Sequence, residues 1–265
     1  MRTLGLMLLS VGALMGADSQ ELSQARIDEI INKFAARESE FAKARENYTY
    51  RQTARILELD QGGATAGRWE MVSDIDFTNE GKRTEHVVRS PVPSLKNLLL
   101  TPEDMEDLRN VQPFVLTSND LPKYLIRYLG KETLDEIPCY VFAVKPKKLD
   151  PGQRFFQGQV WVDDQDLQIV KSYGRGVGLL KKNEDQQFPK FETYREQIDK
   201  KFWFPTYTIA NDTLHFKDQD VRIRQTVKYE DYKQFKSESK ITFGDVVDEK
   251  KDEKKDQKNP PAKKP

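Results

Sequence analysis

The chain has 265 residues, of which 32% are charged and 37% belong to the hydrophobic set. This length accommodates one large β domain or two small ones. Lys and Arg total 43 and Asp and Glu also total 43, which argues against a global electrostatic attraction to nucleic acid or anionic lipid. The only cysteine, Cys139, excludes an intrachain disulfide, and its apolar neighbours predict a buried strand residue.

The first residues have the pattern of an export signal. Arg2 supplies a short positive region, an apolar stretch runs from Leu4 to Met15, and the small residue Ala17 follows. The stretch is too short to span a bilayer comfortably. We predict a signal peptide over residues 1–17, cleaved near Ala17, and an exported, soluble mature protein. A buried N-terminal helix is the alternative.

Residues 19–47 have the periodicity of an amphipathic helix. The run contains no Pro or Gly, and apolar side chains recur at spacings of three and four: Ile27, Ile30, Ile31, Phe34 and Phe41. The pattern predicts a helix that covers a sheet. A helix that binds a partner or lies on a membrane surface is the alternative, which the mixed charges of the polar face disfavour.

Alternating patterns then predict three strands joined by short turns, at Tyr48 to Leu59, at about Trp69 to Phe77, and at Lys82 to Arg89. The sheet is interrupted after Ser90. Thr101 as cap and Pro102 in the first turn predict a short helix to about Asn110. Further strands are predicted over residues 124–129 and 139–144.

The central hairpin runs from Phe155 to Tyr173 around a turn of Asp and Gln residues. On its first strand Val160 and Val162 share one face and Trp161 lies on the other. We therefore expect one face to meet a core and the other a lid or ligand. The glycine-rich run 174–178 indicates a flexible linker or bulged turn rather than a phosphate-binding loop.

The last predicted strands cover residues 191–198, 202–210 and 221–229, and the final one alternates apolar residues with a basic face of Arg222, Arg224 and Lys228. Residues 245–265 carry almost no apolar side chains, which predicts a disordered charged tail. The folded domain is expected over residues 18–244.

Residues capable of catalysis are scarce. His86 and His215 lie in strand-like stretches without ligand partners at metal spacing. Asp163 and Asp164 are explained by a turn, and no serine stands in a nucleophile-elbow context. We predict that the protein is not an enzyme and holds no metal and no cofactor.

Several short motifs follow the signal and the amphipathic helix in this order: Gly81-Lys-Arg, Gly158-Gln-Val-Trp-Val-Asp, Leu167-Gln-Ile-Val-Lys and Phe202-Trp-Phe-Pro-Thr. Together they resemble outer-membrane lipoprotein-sorting proteins of the LolA type. The resemblance implies a half-barrel, a strongly curved antiparallel sheet whose concave face is covered by helices and binds acyl chains. The chain is longer than the family's carriers, and none of its arginines can be matched to their functional arginine.

The expected fold class is therefore α+β, mainly antiparallel β, with the N-terminal helix and a short inserted helix on the concave face. We predict a periplasmic, monomeric carrier of a lipid or acylated lipoprotein, which exchanges cargo with a membrane-anchored donor or acceptor. An envelope sensor or protein-binding module of the same fold is the alternative. The predicted cavity lining is Tyr50, Trp69, Met71, Phe77, Trp161 and Trp203, and the predicted lid-helix residues are Ile27, Ile31 and Phe34.

Overall fold

The computed structural model describes residues 22–180 and 186–235. The predicted signal peptide and charged tail lie outside these residues. The helices are α1 (Gln24–Arg45) and α2 (Pro102–Glu106), with a π-helical turn at Asp107–Val111 and a 3-10 turn at Leu121–Lys123. The strands are β1 (Tyr48–Leu59), β2 (Thr65–Phe77), β3 (Arg83–Arg89), β4 (Tyr124–Leu134), β5 (Ile137–Pro146), β6 (Phe155–Asp163), β7 (Ile169–Val177), β8 (Phe191–Ile198), β9 (Phe202–His215) and β10 (Asp220–Gln234).

All ten strands form one antiparallel sheet in the order β3-β2-β1-β10-β9-β8-β7-β6-β5-β4. The sheet is curved and does not close, so β3 and β4 are its edges. The first and last strands of the chain, β1 and β10, pair in its interior. The predicted half-barrel fold class is confirmed. We call the face on which α1 packs the inner face and the opposite one the outer face.

Helix α1 follows from its cap and its apolar stripe. The Ser23 hydroxyl accepts a hydrogen bond from the backbone N–H of Arg26, satisfying one of the free donors of the first turn. Ile30, Phe34 and Phe41 are buried at helical spacing. The predicted helix that covers a sheet is therefore confirmed. Within the described residues, neither helix is long and apolar enough to cross a membrane.

Residues 90–123, which we call the insert, connect β3 to β4 and lie over the inner face rather than joining the sheet. The predicted cap is present: the Thr101 hydroxyl accepts from the Asp104 N–H, and the Asp104 carboxylate accepts from the Thr101 N–H. The π-helical turn carries the chain on to Val111. The short helix α2 therefore lies over the inner face, as the predicted fold class requires.

The interpretation of residues 174–178 as a linker or bulged turn is wrong, because regular strand β7 continues to Val177. The glycines are needed for space. A Cβ on Gly174 would lie 2.8 Å from the Phe156 ring, and one on Gly176 would lie 1.9 Å from the Asp107 carboxylate. The strand therefore gives up two inward side chains to admit a ring and a carboxylate from elsewhere.

Candidate ligand-binding site

The inner face of β4–β8 is filled by α1. Phe34 is fully buried against Phe142, with ring centroids 5.3 Å apart. Ile27 and Ile31 are partly buried against the same cluster. All three predicted lid-helix residues therefore lie on the stripe that α1 turns toward the sheet. The cluster also contains Ile30, Val160, Val162, Ile169 and Phe191.

A buried ion pair fastens α1 to the sheet. Glu38 and Arg195 have side chains 0% and 2% exposed, and Nη1 of Arg195 lies 3.1 Å from Oε1 of Glu38. The same carboxylate accepts a hydrogen bond from the Ile169 N–H at 3.0 Å. The guanidinium also donates to the carbonyl oxygen of Phe114 in the insert. One pair therefore joins the helix, two strands and the insert, and its remaining polar atoms are satisfied, as buried charges require.

The inner face of β1, β2 and β10 is covered by the insert instead of a long helix. Trp69 and Met71 are buried there, and Tyr50 is partly buried beside them, so three of the predicted lining residues lie together. The insert covers them with Leu95, Leu98, Leu100, Met105 and Leu108, and the sheet adds Ala54, Ile56, Val227 and Tyr229. We call this group the insert cluster.

Polar contacts to β1 and β2 hold the first half of the insert to the sheet. The buried Glu58 carboxylate accepts hydrogen bonds from the backbone N–H groups of Lys96 and Asn97, each at 2.7 Å. A Cβ on Gly67 would lie 2.6 Å from the Ser94 carbonyl oxygen, so this glycine allows the insert to approach β2 closely. Ser94 adds a backbone N–H that donates to the Arg68 carbonyl oxygen at 2.8 Å and a hydroxyl that accepts from the Arg68 N–H at 3.0 Å. The first half of the insert is thus anchored at Glu58 and at Arg68.

A second buried pair anchors the other half of the insert. Nε of Arg154 lies 2.8 Å from Oδ1 of Asp107, and the two side chains are 6% and 7% exposed. Burial raises the pKa of the Asp107 carboxyl to about 6, because the desolvation of the carboxylate outweighs the opposing attraction of Arg154. This anchor therefore loses its charge on the carboxylate in mildly acidic solution.

A small apolar cavity lies between the insert and the sheet. Its volume is about 80 Å³, which is below the roughly 300–1,000 Å³ typical of ligand pockets. The lining includes Ile56, Leu98, Leu100, Leu214, Phe216 and Ile223. The space over the inner face is therefore closed, because the leucines of the insert fill it.

The other predicted lining residues lie elsewhere. Trp161 and Trp203 pack on the outer face with Cys139, Val141 and Val170. The indole N–H of Trp161 donates to Glu132 at 2.7 Å, and that of Trp203 donates to Asp166 at 3.2 Å. Strand alternation is the reason, since Val160, Val162, Phe202 and Phe204 occupy the inward positions. Phe77 is partly exposed at the end of β2. The structure thus does not bring the six residues into one lining.

The anchoring charges were not identified from the sequence, although one signal was present. Glu38 lies four residues after Phe34 and three before Phe41, so a carboxylate occupies the apolar stripe of α1. An acid at such a position needs a buried partner. The partner, Arg195, carries no comparable local signal. It follows Phe191 and Thr193 on one face of β8 at the ordinary two-residue spacing of a strand.

The histidines lie at the surface beside carboxylates. His86 Nε2 lies 3.3 Å from Asp76 and His215 Nδ1 lies 2.8 Å from Asp220. Within residues 22–180 and 186–235, no three His, Cys, Asp or Glu side chains are grouped to hold a metal ion.

The fold and the site define a class: a half-barrel whose inner face is covered by one long helix and a closing insert.

No protein-family model and no curated protein matches this chain. Similar solved structures include a DUF1329 family protein from Desulfovibrio piger, with 14% identity, a TM-score of 0.43, and coverage of 77% of this chain and 91% of that one. A LolA superfamily protein from Nitrosomonas europaea has 15% identity, a TM-score of 0.35, and coverage of 76% and 94%. A putative outer membrane lipoprotein-sorting protein domain from Vibrio parahaemolyticus has 12% identity, a TM-score of 0.35, and coverage of 74% and 90%. The family named from the sequence motifs is thus among the structures to which this chain is similar.

Proposed function

We propose that the protein is an exported, periplasmic carrier that binds an acyl chain of a lipid or lipid-modified protein between the insert and the inner face of β1, β2 and β10. The supporting observation is that leucines of the insert, rather than a long helix, fill this part of the inner face. The first half of the insert contains no helix or strand. Its export rests on the signal pattern of residues 1–17.

The energetics of exchange favour an apolar tail as the ligand. If the insert swings out, it exposes the apolar floor at Trp69 and Met71 together with its own leucines. An acyl chain covers such a floor at about 0.8 kcal/mol per buried methylene and needs no directional contacts. The insert already holds Leu99 and Val92 in solvent, at 89% and 92% exposure. These side chains can pack on a ligand that lifts the loop.

The three tryptophans provide a direct test. Trp69 lies beneath the insert, whereas Trp161 and Trp203 lie on the outer face. A fatty acid brominated on its chain quenches only indoles in contact with it. We expect saturable quenching in the purified protein, lost in Trp69→Phe and retained in the matched control Trp161→Phe.

Quenching that survives in Trp69→Phe and disappears in Trp161→Phe would place the tail on the outer face and refute the proposed site. Native mass spectrometry of protein purified from cells supplies a second readout. Co-purified lipid or acylated peptide supports the carrier. A clean apo mass together with no quenching by added lipid counts against any lipid function.

The alternative, a sensor or protein-binding module that docks a membrane partner, would use the basic row of β10. Arg222 and Arg224 are exposed there as predicted, but each already donates to a neighbour: Arg222 to the Gln61 carbonyl oxygen and Arg224 to Asn211. Charge reversal of both should abolish partner binding and leave lipid uptake intact if this alternative holds.

A further inference from the structure

A second concavity lies away from the acyl site, on the outer face of β4–β7. It is a groove of about 920 Å³, within the range typical of ligand pockets. Leu125 and Tyr173 line it as partly exposed apolar groups, and the Gln157 and Gln159 amides lie between them. Neither amide has a hydrogen-bond partner through its side chain within the described part of the chain. The groove therefore offers both apolar contact and free amide groups.

Four cations surround the groove without a carboxylate partner. Arg127, Lys145, Arg175 and Lys190 line it and are exposed. None of them forms an ion pair within 4.0 Å among residues 22–180 and 186–235. Two acids lie nearby. Glu192 is paired with Lys171 at 3.1 Å, and the Asp212 carboxylate accepts a hydrogen bond from the backbone N–H of Lys190 at 2.9 Å, not from its ammonium group.

The outer face of β1 and β2 is different. Arg51 is paired with Asp74 at 2.8 Å, and Arg55 is paired with Glu70 at 2.5 Å. On β10, Arg222 and Arg224 donate to neutral oxygens instead. An uncompensated set of four cations around a groove leaves a local positive potential that an anionic ligand would neutralise.

The spacing of the cations selects the kind of anion. Lys145 lies on β5, Arg175 on β7, and Lys190 directly before β8. Three strand spacings of about 4.8 Å separate the ends of this row by about 14 Å. A single phosphate or carboxylate therefore does not match the length of the row. An extended peptide places alternate side chains on one side at intervals of about 6.8 Å, so acids at positions i, i+2 and i+4 span about the same 14 Å.

We propose that this groove binds an extended acidic segment of a partner protein, with acidic side chains at alternate positions. The arginines receive carboxylates in bidentate geometry, and the amides of Gln157 and Gln159 hydrogen-bond to the peptide backbone. A flat bilayer cannot enter a concave site, so a peptide fits better than a membrane surface. The groove lies on the opposite face from the acyl site, so the two proposals are independent.

Fluorescence anisotropy with the purified protein tests the proposal. The probe is a labelled nine-residue peptide with Glu at positions 3, 5 and 7 between Ser residues. Its controls are the isomer with three consecutive Glu residues and the analogue with Gln. We expect the alternating peptide to bind most tightly and Arg175→Glu to weaken it about tenfold or more, as expected for one lost charge-assisted contact. The matched reversal Lys228→Glu, on the outer face of β10, should change affinity less than about twofold.

Lys145→Gln is a milder second variant that should weaken binding in the same direction, and circular dichroism checks that every variant is folded. Binding should also fall as salt is raised, because the contacts are exposed. The proposal is overturned if no acidic peptide binds below millimolar concentration. It is equally overturned if Lys228→Glu weakens binding as much as Arg175→Glu, or if only anionic phospholipid vesicles bind.

Discussion

The buried pair between α1 and β8 allows a quantitative test of how the helix is held. In Arg195→Met, the Glu38 carboxylate stays 0% exposed and keeps only the Ile169 N–H as a partner. Breaking a buried pair in this way costs about 3–5 kcal/mol of the free energy of unfolding. Glu38→Gln leaves Arg195 unpaired, and we expect a similar loss. In the double variant both charges are gone and the Gln still accepts from Ile169. Mainly the Phe114 carbonyl then loses its partner, which costs about 1–3 kcal/mol.

The double variant should therefore be more stable than either single variant, and the coupling energy should be about 3 kcal/mol or more. Urea unfolding followed by tryptophan fluorescence measures all four proteins. The matched control is the Arg51–Asp74 pair, which has a close contact of 2.8 Å but side chains 43% and 49% exposed. Its coupling should be below about 1 kcal/mol. A coupling for Glu38 and Arg195 no larger than that of the control would refute the view that this pair anchors α1.

Three further predictions concern the insert and the cysteine. In Gly176→Ala the new Cβ would lie 1.9 Å from the Asp107 carboxylate. We expect overpacking to lower the free energy of unfolding by about 1–3 kcal/mol, measured by urea unfolding. In the control Gly62→Ala, the nearest contact of the new Cβ would be 3.4 Å away, so the free energy of unfolding should hardly change. The pKa of Asp107 is raised to about 6 in the folded state, so this group binds more protons when folded. Its stabilising contribution is present at low pH and is lost as pH rises through about 6, by up to about 3 kcal/mol. The free energy of unfolding, measured from pH 4 to 7, should therefore fall more steeply for the natural protein than for Asp107→Asn. Equal slopes would contradict this prediction. Burial raises the pKa of the Cys139 thiol to about 11, so a thiol reagent at pH 8 should label it only in denaturant, and rapid labelling of the folded protein would show that the outer cluster opens.

Strand and helix positions were predictable because they depend on local chemistry. β1 and β8 have the bounds that alternation predicted, Tyr48–Leu59 and Phe191–Ile198. The turn of the central hairpin forms as expected, with the Asp163 carboxylate accepting from the Gln165 N–H at 2.8 Å. Turn residues and apolar periodicity act over a few residues, so the local sequence is sufficient to predict these elements.

The site was harder to predict, because it depends on contacts between distant segments. Alternation showed that Trp161 and Val160 point to opposite faces, but only the packing of α1 decides which face is the inner one. The glycines of β7 were misinterpreted for the same reason. Gly174 makes room for the Phe156 ring of the neighbouring strand, and Gly176 makes room for Asp107, which lies 69 positions earlier than Gly176. Similarly, nothing near Glu58 indicates that it accepts hydrogen bonds from Lys96 and Asn97.

Strand β7 contacts an anchor of the insert on its inner side and lines the groove on its outer side, so it allows the two proposed sites to be tested against each other. Gly176 points inward to the Asp107 anchor, whereas Arg175 points outward into the basic groove. Because adjacent residues of a strand face opposite sides, Arg175→Glu should weaken binding of the acidic peptide about tenfold or more and leave the quenching of Trp69 by brominated fatty acid unchanged. Gly176→Ala should do the reverse, because it disturbs the anchor of the insert and so shifts the rate or extent of quenching. If either variant changes both readouts equally at matched stability, the two faces are coupled, and the binding of lipid and of partner would have to be treated as one event.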